Sequence, residues 1–227
     1  MIEIVQLSKS FSSTSVLKEV SATFTAGNVY GIVGENGSGK TTLFRCLAGL
    51  ERYDGQIITT FSPLKNHVGF LPAEPYFMPR ITGREYLRLL CTAREQTFGD
   101  DQTLNVFDLP LDQYASTYST GMKKKLALTG VLLQRNQLFI LDEPFNGVDI
   151  QSNLLITEVI RMLGEMGRCV LVSSHVFSTL RETCSELLLL KDGTLGNPIQ
   201  RNNFDEVEKL LKGDDISDRI KSLKSRL

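Results

Sequence analysis

The chain has 227 residues, of which 25 are basic and 26 are acidic, so its formal net charge is -1. This length suits one large domain, or a core with one insertion, that buries about 70% of its unfolded surface. The balanced charge excludes recruitment of nucleic acid or acidic lipid by a global field. Any polyanion must therefore be bound locally.

The four cysteines indicate reduced thiols rather than disulfides or a zinc site. None forms a C-x-x-C spacing, Cys46 and Cys169 lie in apolar segments, and only His67 and His175 are available as histidine ligands. We expect no signal peptide, because no basic region precedes a long apolar one. The leucine run at 187–190 is far shorter than the roughly 20 residues that span a bilayer. These features predict a cytosolic chain that needs another polypeptide for any membrane crossing.

The first third of the chain predicts an antiparallel layer laid over the start of an α/β core. Residues 2–7 alternate irregularly, which is typical of a strand that changes face or bulges. A polar loop at 8–14 carries one aromatic ring, Phe11, and a second strand follows at 16–24. Further short strands are predicted at 56–61 and 67–71.

The stretch GENGSGKT at 34–41 is a phosphate loop in its expected context. An apolar run at 29–33 predicts a buried strand before it, and residues 42–48 predict a helix that Gly49 ends. Its glycines let successive N–H groups turn toward a polyphosphate, and the helix adds its positive end, so an ordinary glycine-rich turn is disfavoured. Lys40 is predicted to reach the β- and γ-phosphates while Thr41 holds Mg²⁺. The predicted nucleotide-binding residues of the loop are Gly34, Asn36, Gly37, Ser38, Gly39, Lys40, Thr41 and Thr42.

A helical subdomain is predicted as an insertion at about 75–135. One helix begins after Thr82-Gly83, a polar stretch at 98–118 is broken by Pro110, and residues 121–134 are helical again. The strands and helices that follow alternate, which implies a parallel sheet. Strands are expected at 138–141 and 169–172, helices at about 152–166 and 176–184, and a hairpin at 187–196. The charged, helix-prone tail at 206–227 is either a solvated end or a basic amphipathic surface for a membrane or partner.

Two carboxylates follow the apolar strand at 138–141. Asp142 and Glu143 end a strand that is apolar on both faces, as in the centre of a parallel sheet, and ligands bind at the carboxyl ends of such strands. Asp142 suits a partner of Mg²⁺, and Glu143 suits a general base for an attacking water. Solvated strand-end acids are the alternative, which the nearby phosphate loop disfavours.

The stretch YSTGMKKKL at 118–126 resembles the signature of the ATP-binding cassette (ABC) transporter family. The resemblance covers about residues 1–200 and implies a P-loop NTPase fold with a RecA-like α/β core, an N-terminal antiparallel β layer and an inserted helical subdomain. It implies a single cassette at 1–205. In that family the signature of one cassette closes over ATP held by a second one, which assigns ATP contacts to Ser119 and Gly121. These residues open a helix whose free N–H groups favour an anion. Lys123 to Lys125 oppose that dipole, which fits phosphate brought from outside or else a solvated turn.

Other positions also match the family. Asp149 stands in a stretch, FNGVD, that resembles the D-loop at the dimer contact, and His175 resembles the switch histidine that contacts the γ-phosphate. Phe11 resembles the ring that stacks on adenine, although an aromatic loop residue also serves as a lid on a core. The family commonly has glutamine where Ala73 stands, so either Glu74 substitutes for it or that contact is missing. Thr120 replaces a common signature glycine, a mild change because threonine can cap the helix.

The resemblance implies an ATPase subunit that binds ATP and Mg²⁺ between two cassettes and powers a separate transmembrane permease. The second cassette would be another copy of this chain, forming a homodimer, or a related cassette. The catalytic residues would be Lys40, Glu143 and His175. The short cassette and its signature resemble bacterial ABC-2-type exporters, which would place the chain in the cytoplasm, peripheral on the inner face of the membrane. Three alternatives stay open: a soluble non-transport ABC ATPase, another P-loop class such as a kinase or GTPase, and an ATP-binding regulatory module with weak turnover. No nucleic-acid partner is expected.

Overall fold

The computed structural model describes residues 1–96, 98 and 105–212. Its elements alternate between strands and helices after an initial run of strands. In chain order they are β1 (Ile2–Phe11), β2 (Thr14–Phe24), β3 (Val29–Val33), α1 (Lys40–Leu47), β4 (Asp54–Thr59), β5 (Val68–Leu71), α2 (Gly83–Thr92), α3 (Thr120–Leu133), β6 (Leu138–Asp142), α4 (Ile150–Glu165), β7 (Cys169–Ser173), α5 (Phe177–Thr183), β8 (Glu186–Lys191), β9 (Thr194–Leu195), β10 (Ile199–Gln200) and α6 (Phe204–Lys212).

The antiparallel layer has the strand order β2-β1-β4. The predicted irregularity of β1 is confirmed, because its register shifts against β2 and Gln6 has φ +51°. The predicted polar loop at 8–14 is wrong, since β1 continues to Phe11 and β2 begins at Thr14. Phe11 pairs with Thr14 across a two-residue turn. Polar residues form strands here because backbone pairing holds an exposed hairpin end that buries neither face.

The central sheet has the order β10-β8-β3-β7-β6-β5, with β9 paired to β8. Strands β8, β3, β7, β6 and β5 are parallel to one another, whereas β10 and β9 pair antiparallel with β8. The short strand predicted at 67–71 belongs to this sheet, as β5, and not to the antiparallel layer. Because β7 lies between β3 and β6, the phosphate loop, the acidic pair and the segment after Ser173 all leave the same edge of the sheet.

Each central strand divides its side chains between two hydrophobic cores. In β6, Leu138 and Ile140 face the core that contains α1 and the antiparallel layer, whereas Phe139 and Leu141 face the core beneath α3 and α4. This confirms the prediction of a strand that is apolar on both faces. All five residues of β6 are buried. The strand therefore holds the position of Asp142 rigidly.

Helices α2 and α3 pack against each other within the region predicted as the helical insertion. Thr82 and Glu85 form a capping box at the start of α2, so the helix begins at Gly83, one residue earlier than predicted. A β-carbon at Gly130 would lie 2.5 Å from Cδ1 of Leu90, so glycine permits this close helix contact. The subdomain limits of 75–135 stay a prediction, and residues 99–104 of the predicted polar stretch lie outside the described residues.

The last described helix, α6, packs back on the cassette. Phe204 and Val207 are buried in the core beneath α3 and α4, so packed structure extends past residue 205. Arg181 of α5 pairs with Asp205 and lies 3.1 Å from a carboxylate oxygen of Glu208. The division at 205 and 206 stays a prediction, and the basic end at 219–227 lies outside the described residues.

All four cysteines are free and buried. A membrane-crossing helix would need a long apolar run, and the described part of the chain contains no such helix.

Candidate nucleotide site

The phosphate loop leaves the first turn of α1 open to an anion. Gly39 is the N-cap with φ +108°, and no side chain caps the helix, so the first amide N–H groups have no partner within it. Lys40 is buried, and its Nζ donates to the carbonyl oxygens of Gly34 and Glu35 at 2.8 and 2.9 Å. The loop therefore wraps around the ammonium. Burial lowers the pKa of Lys40, and the negative charges of Glu143 and Asp142 oppose that shift.

A cleft of about 430 Å³ lies against this loop. This volume suits a small organic ligand. Close approach of the β8–β9 hairpin forms one wall, where a β-carbon at Gly34 would lie only 2.3 Å from the carbonyl oxygen of Leu190. Ser38 Oγ is buried without a hydrogen-bond partner among the described residues, which indicates a place for a polar ligand. The cleft is lined by Thr14, Ser15, Val16, Lys18, residues 34–38 and residues 189–193.

Asp142 and Thr41 meet at the mouth of the loop. Thr41 Oγ1 donates to Asp142 Oδ2 at 2.6 Å, and Ser173 Oγ donates to Asp142 Oδ1 at 2.7 Å. A hydroxyl and a carboxylate are the oxygen ligands that Mg²⁺ prefers, and Mg²⁺ commonly takes only one or two from protein. The pair fits such an ion. Within the described residues no three His, Cys, Asp or Glu side chains group as a metal site.

Glu143 is held in a sparsely populated backbone conformation with φ +50°. Its N–H donates to Ser173 Oγ at 3.0 Å, and its Oε2 accepts from the His175 backbone N–H at 3.2 Å. His175 Nε2 lies 3.0 Å from Oε1, although the two atoms are not aligned as a hydrogen bond. Burial raises the pKa of Glu143, and His175 partly opposes that shift. Strain of this kind persists where neighbours determine it, typically at functional sites.

Lys124 belongs to this site, which the sequence interpretation missed. It is 1% exposed, and its Nζ donates to the carbonyl oxygens of Ala73 and Glu143. The interpretation of the lysine run as a solvated turn is therefore wrong for this residue, because Lys124 is buried, while phosphate brought from outside stays a prediction. A signal was present: Ala127 and Leu128, three and four residues later, are buried, so helical periodicity places Lys124 on the buried face.

The buried charges of the described residues gather in one place. Lys40, Lys124, Asp142 and Glu143 are the charged side chains that are buried there. Each lysine lies near Asp142 and Glu143, whose charges raise the lysine pKa values against desolvation. Burying charges is costly unless they are paired, so a cluster of this kind is a functional-site candidate.

Comparison with known proteins decides the family. Residues 17–146 match the family described as ABC transporter.

The chain belongs to the ABC transporter family.

The ABC transporter ATP-binding protein YtrB of Bacillus subtilis (strain 168) is 29% identical over 91% of this chain and 74% of its own length. The SkfA peptide export ATP-binding protein SkfE of the same organism is 27% identical over 91% of this chain and 92% of its own length. The bacitracin transport ATP-binding protein BcrA of Enterococcus faecalis is 28% identical over 92% of this chain and 71% of its own length.

Solved structures show the same fold. An ATP-binding subunit of an ABC transporter superposes with a TM-score of 0.77 at 24% identity, covering 88% of this chain and 90% of its own. A dimeric post-hydrolysis structure of the cassette MJ0796, bound to ADP and Pi, gives 0.79 at 19% identity, covering 88% and 99%. The predicted P-loop α/β fold is thus confirmed, and the chain is an ATP-binding cassette with ATPase activity.

In this cassette the signature turn lies apart from the cleft lining. Ser119 caps α3 by accepting from the Met122 N–H at 3.2 Å, and neither Ser119 nor Gly121 lines the cleft. A β-carbon at Gly121 would lie 2.5 Å from the carbonyl oxygen of Gly147. The signature turn therefore packs on the segment that resembles the D-loop of the same chain. Lys125 reinforces this contact, with Nζ 3.4 Å from Asp149 Oδ2.

Phe11 and the segment around Ala73 are the remaining predicted sites. Phe11 is 45% exposed and does not line the cleft, and Lys9 Nζ lies 4.6 Å from its ring centroid. Its stacking on adenine stays a prediction. Glu74 is exposed, while the Ala73 carbonyl accepts from Lys124. Asn36 and Thr42 are exposed and half-buried, respectively, at the loop and in α1.

Proposed function

We propose that this ATP-hydrolysing transporter subunit binds ATP and Mg²⁺ between two copies of itself and powers a separate transmembrane permease. The observation that carries hydrolysis is the buried group of Lys40, Asp142 and Glu143 beside an uncapped helix start. Phosphoryl transfer depends on such positioning and charge compensation rather than on covalent chemistry.

Each residue of this group takes one part of the reaction. Lys40 and the open amides of α1 hold the β- and γ-phosphates, while Thr41 and Asp142 hold Mg²⁺ through oxygen atoms. Mg²⁺ held by these two residues would supply positive charge that offsets the charge of the transferred phosphoryl group. Glu143 orients the attacking water and accepts its proton, a task that its raised pKa favours. His175, whose side chain is about half exposed beside Glu143, is free to contact the γ-phosphate.

The proposed second copy supplies the signature turn. Ser119 and Gly121 match the family signature but do not line the cleft beside their own phosphate loop. Contact with ATP from a second copy gives these residues a role. The dimeric structure of the cassette MJ0796 supports such an arrangement for a protein of the same fold.

The proposed direction of transport is export. SkfE is named for peptide export and BcrA for bacitracin transport, and both align over nine tenths of this chain. An export subunit would work in the cytoplasm, peripheral on the inner face of the membrane. One observation favours a second candidate, an ATP-binding regulatory module with weak turnover: Ala73 offers no side-chain amide where the family commonly has glutamine.

Glu143→Gln tests the proposal. The variant should bind ATP and form a dimer visible by size-exclusion chromatography, while phosphate release falls to background. Glu158→Gln is the matched control, because Glu158 is an exposed residue of α4 that pairs with Arg161. A Glu143→Gln chain that stays monomeric in saturating ATP, together with a wild-type chain that hydrolyses as a monomer, would contradict the shared site. Purification from native membranes should bring a permease with the wild-type chain.

A further inference from the structure

Lys124 joins two segments that leave neighbouring strands. Ala73 follows β5 and Glu143 follows β6, and these strands pair in register from Val68 and Leu138 onward. Beyond their carboxyl ends the two segments are bridged by Lys124 Nζ, which donates to the carbonyl oxygen of Ala73 and, at 3.0 Å, to that of Glu143. The ammonium thus lies between the two segments and is hydrogen-bonded to both.

The same ammonium completes the support of the Glu143 backbone. The Glu143 N–H is held by Ser173 Oγ at 3.0 Å, and its carbonyl oxygen is held by Lys124. Glu143 has φ +50°, a conformation that an L residue keeps only when its surroundings determine it. With both flanking peptide groups fixed, the side chain is directed toward His175, whose N–H it accepts. Loss of Lys124 would release one of these two supports.

A lysine is a costly choice for this position unless its charge and donors are used. Its side chain is 1% exposed, and a buried ammonium is stable only with opposite charges and hydrogen-bond acceptors nearby. The carboxylates of Asp142 and Glu143 supply the charge, and the two carbonyl groups supply the acceptors. Replacing a whole buried ion cluster by apolar side chains is often neutral or stabilising, whereas removing one partner leaves the remaining charges and acceptors buried without compensation. Stability alone therefore does not account for a charged cluster at this position.

We propose that Lys124 is a positioning residue for ATP hydrolysis, which holds Glu143 in its reacting orientation and makes that orientation depend on the segment from Pro72 to Glu74. The inference rests on the proposed role of Glu143 as the general base. Movement of the 72–74 segment would shift the Lys124 ammonium and, through it, the Glu143 carbonyl. Hydrolysis would then respond to whatever displaces that segment.

Lys124→Met tests the positioning role, because methionine keeps the volume and removes the charge and the donors. We expect kcat for ATP per folded molecule to fall at least tenfold and KM to change less than threefold, while Tm falls because the carbonyl groups of Ala73 and Glu143 lose their donor. Two controls separate other effects. Lys209→Met makes the same charge change on exposed α6, and Val131→Ala removes buried apolar volume from α3. Both should keep the wild-type kcat per folded molecule.

Lys124→Gln retains a donor without the charge, and it should keep more activity than Lys124→Met. If the methionine variant does not fold, the glutamine variant carries the test through its kcat, KM and Tm. A kcat within twofold of wild type in Lys124→Met, or a loss in either variant that matches the unfolded fraction, would overturn the proposal.

A double-mutant cycle tests the link to the 72–74 segment. Pro72→Gly loosens the segment and should lower kcat, while Pro72→Gly with Lys124→Met should be no slower than the slower single variant. If the losses of kcat in the two single variants multiply in the double variant, the link between Lys124 and the 72–74 segment is overturned. Glu143→Gln is assayed in parallel: full activity in that variant would refute the general-base role itself, whereas a dead Glu143→Gln with an active Lys124→Met would refute only the positioning role.

Discussion

Two helix starts in this cassette carry motifs for phosphate, and the chain treats them differently. At α1 the N-cap is Gly39, and no side chain occupies the open amides. At α3 the N-cap Ser119 satisfies the Met122 N–H itself. The start of α1 also lies beside buried Lys40 and the acidic pair, whereas α3 begins against the carbonyl group of Gly147.

This difference indicates how the catalytic site is divided. The α1 start is incomplete without an anion, so a single chain identifies it as a ligand site. At the α3 start one amide is already satisfied inside its own chain, and the ATP contact proposed for this turn would be made to a second copy. The α2 start, with its complete capping box of Thr82 and Glu85, needs nothing from outside.

Lys40→Met, at the start of α1, should give the largest effect on turnover. Loss of the buried ammonium removes a phosphate contact and leaves the carbonyl groups of Gly34 and Glu35 without their donor. We expect turnover to fall about 10²- to 10³-fold, as for other losses of a charge-stabilising donor. Steady-state ATPase assays and titration with a fluorescent nucleotide would measure this, and a variant with normal turnover would contradict the site.

Gly121→Ala should affect the α3 side without touching the cleft. The new β-carbon would lie 2.5 Å from backbone at Gly147 and must displace the signature turn. We expect about a tenfold loss of turnover, with ATP affinity of the isolated chain retained. Gly196→Ala is the control, because its β-carbon would meet nothing closer than 3.4 Å. An equal loss of turnover in both variants would contradict a role of the signature turn in hydrolysis.

Ser119→Ala and Thr82→Ala compare the start of α3 with the start of α2. Each removes an N-cap oxygen and should lower the free energy of unfolding by about 1 kcal/mol. Only Ser119→Ala should also reduce turnover, because only that cap belongs to the family signature. Urea unfolding and ATPase assays on both variants test this, and equal turnover would count against a role for Ser119 in the reaction.

The pH dependence of stability should give a smaller effect at the acidic pair. Burial raises the pKa of Glu143 above its ordinary 4.5, so the folded chain holds this proton more tightly than the unfolded chain. Stability from this group is therefore present below pH 4.5 and is lost as the pH rises through the folded pKa. Between pH 4.5 and the folded pKa of Glu143, the Tm of wild type should therefore fall relative to the Tm of Glu143→Gln. Parallel Tm curves would contradict the shift.

The same raised pKa governs activity in the opposite direction. A general base must be deprotonated, so turnover should fall as the pH drops through the folded pKa of Glu143, above the ordinary value of 4.5.

Much of the candidate nucleotide site was predictable from the pattern of residues that are neighbours in the sequence. The phosphate loop, the strand that presents Asp142 and Glu143, and the placement of His175 all follow from the order of residues along single strands and turns. Such features depend on backbone conformation and strand polarity within a few residues. A single sequence contains that information directly.

Other features required contacts between distant segments. The cleft wall forms where the turn at Gly193 meets β2, since a β-carbon on Gly193 would lie 2.6 Å from the Val16 carbonyl oxygen. The polar hairpin between β1 and β2 depends on cross-strand pairing, and β5 joins the parallel sheet through β6. No local pattern specifies these pairings.

Local sequence alone thus determined which helix start and which strand end form the candidate nucleotide site, because glycine conformations, open amides and strand-end acids are properties of neighbouring residues. The tertiary structure decided which lysine of the run is buried beside the acidic pair. Lys123 and Lys124 are adjacent and identical in type, yet only Lys124 is buried between Ala73 and Glu143. The physical reason is desolvation. A charged side chain can be buried only where the fold surrounds it with hydrogen-bond acceptors and opposite charges.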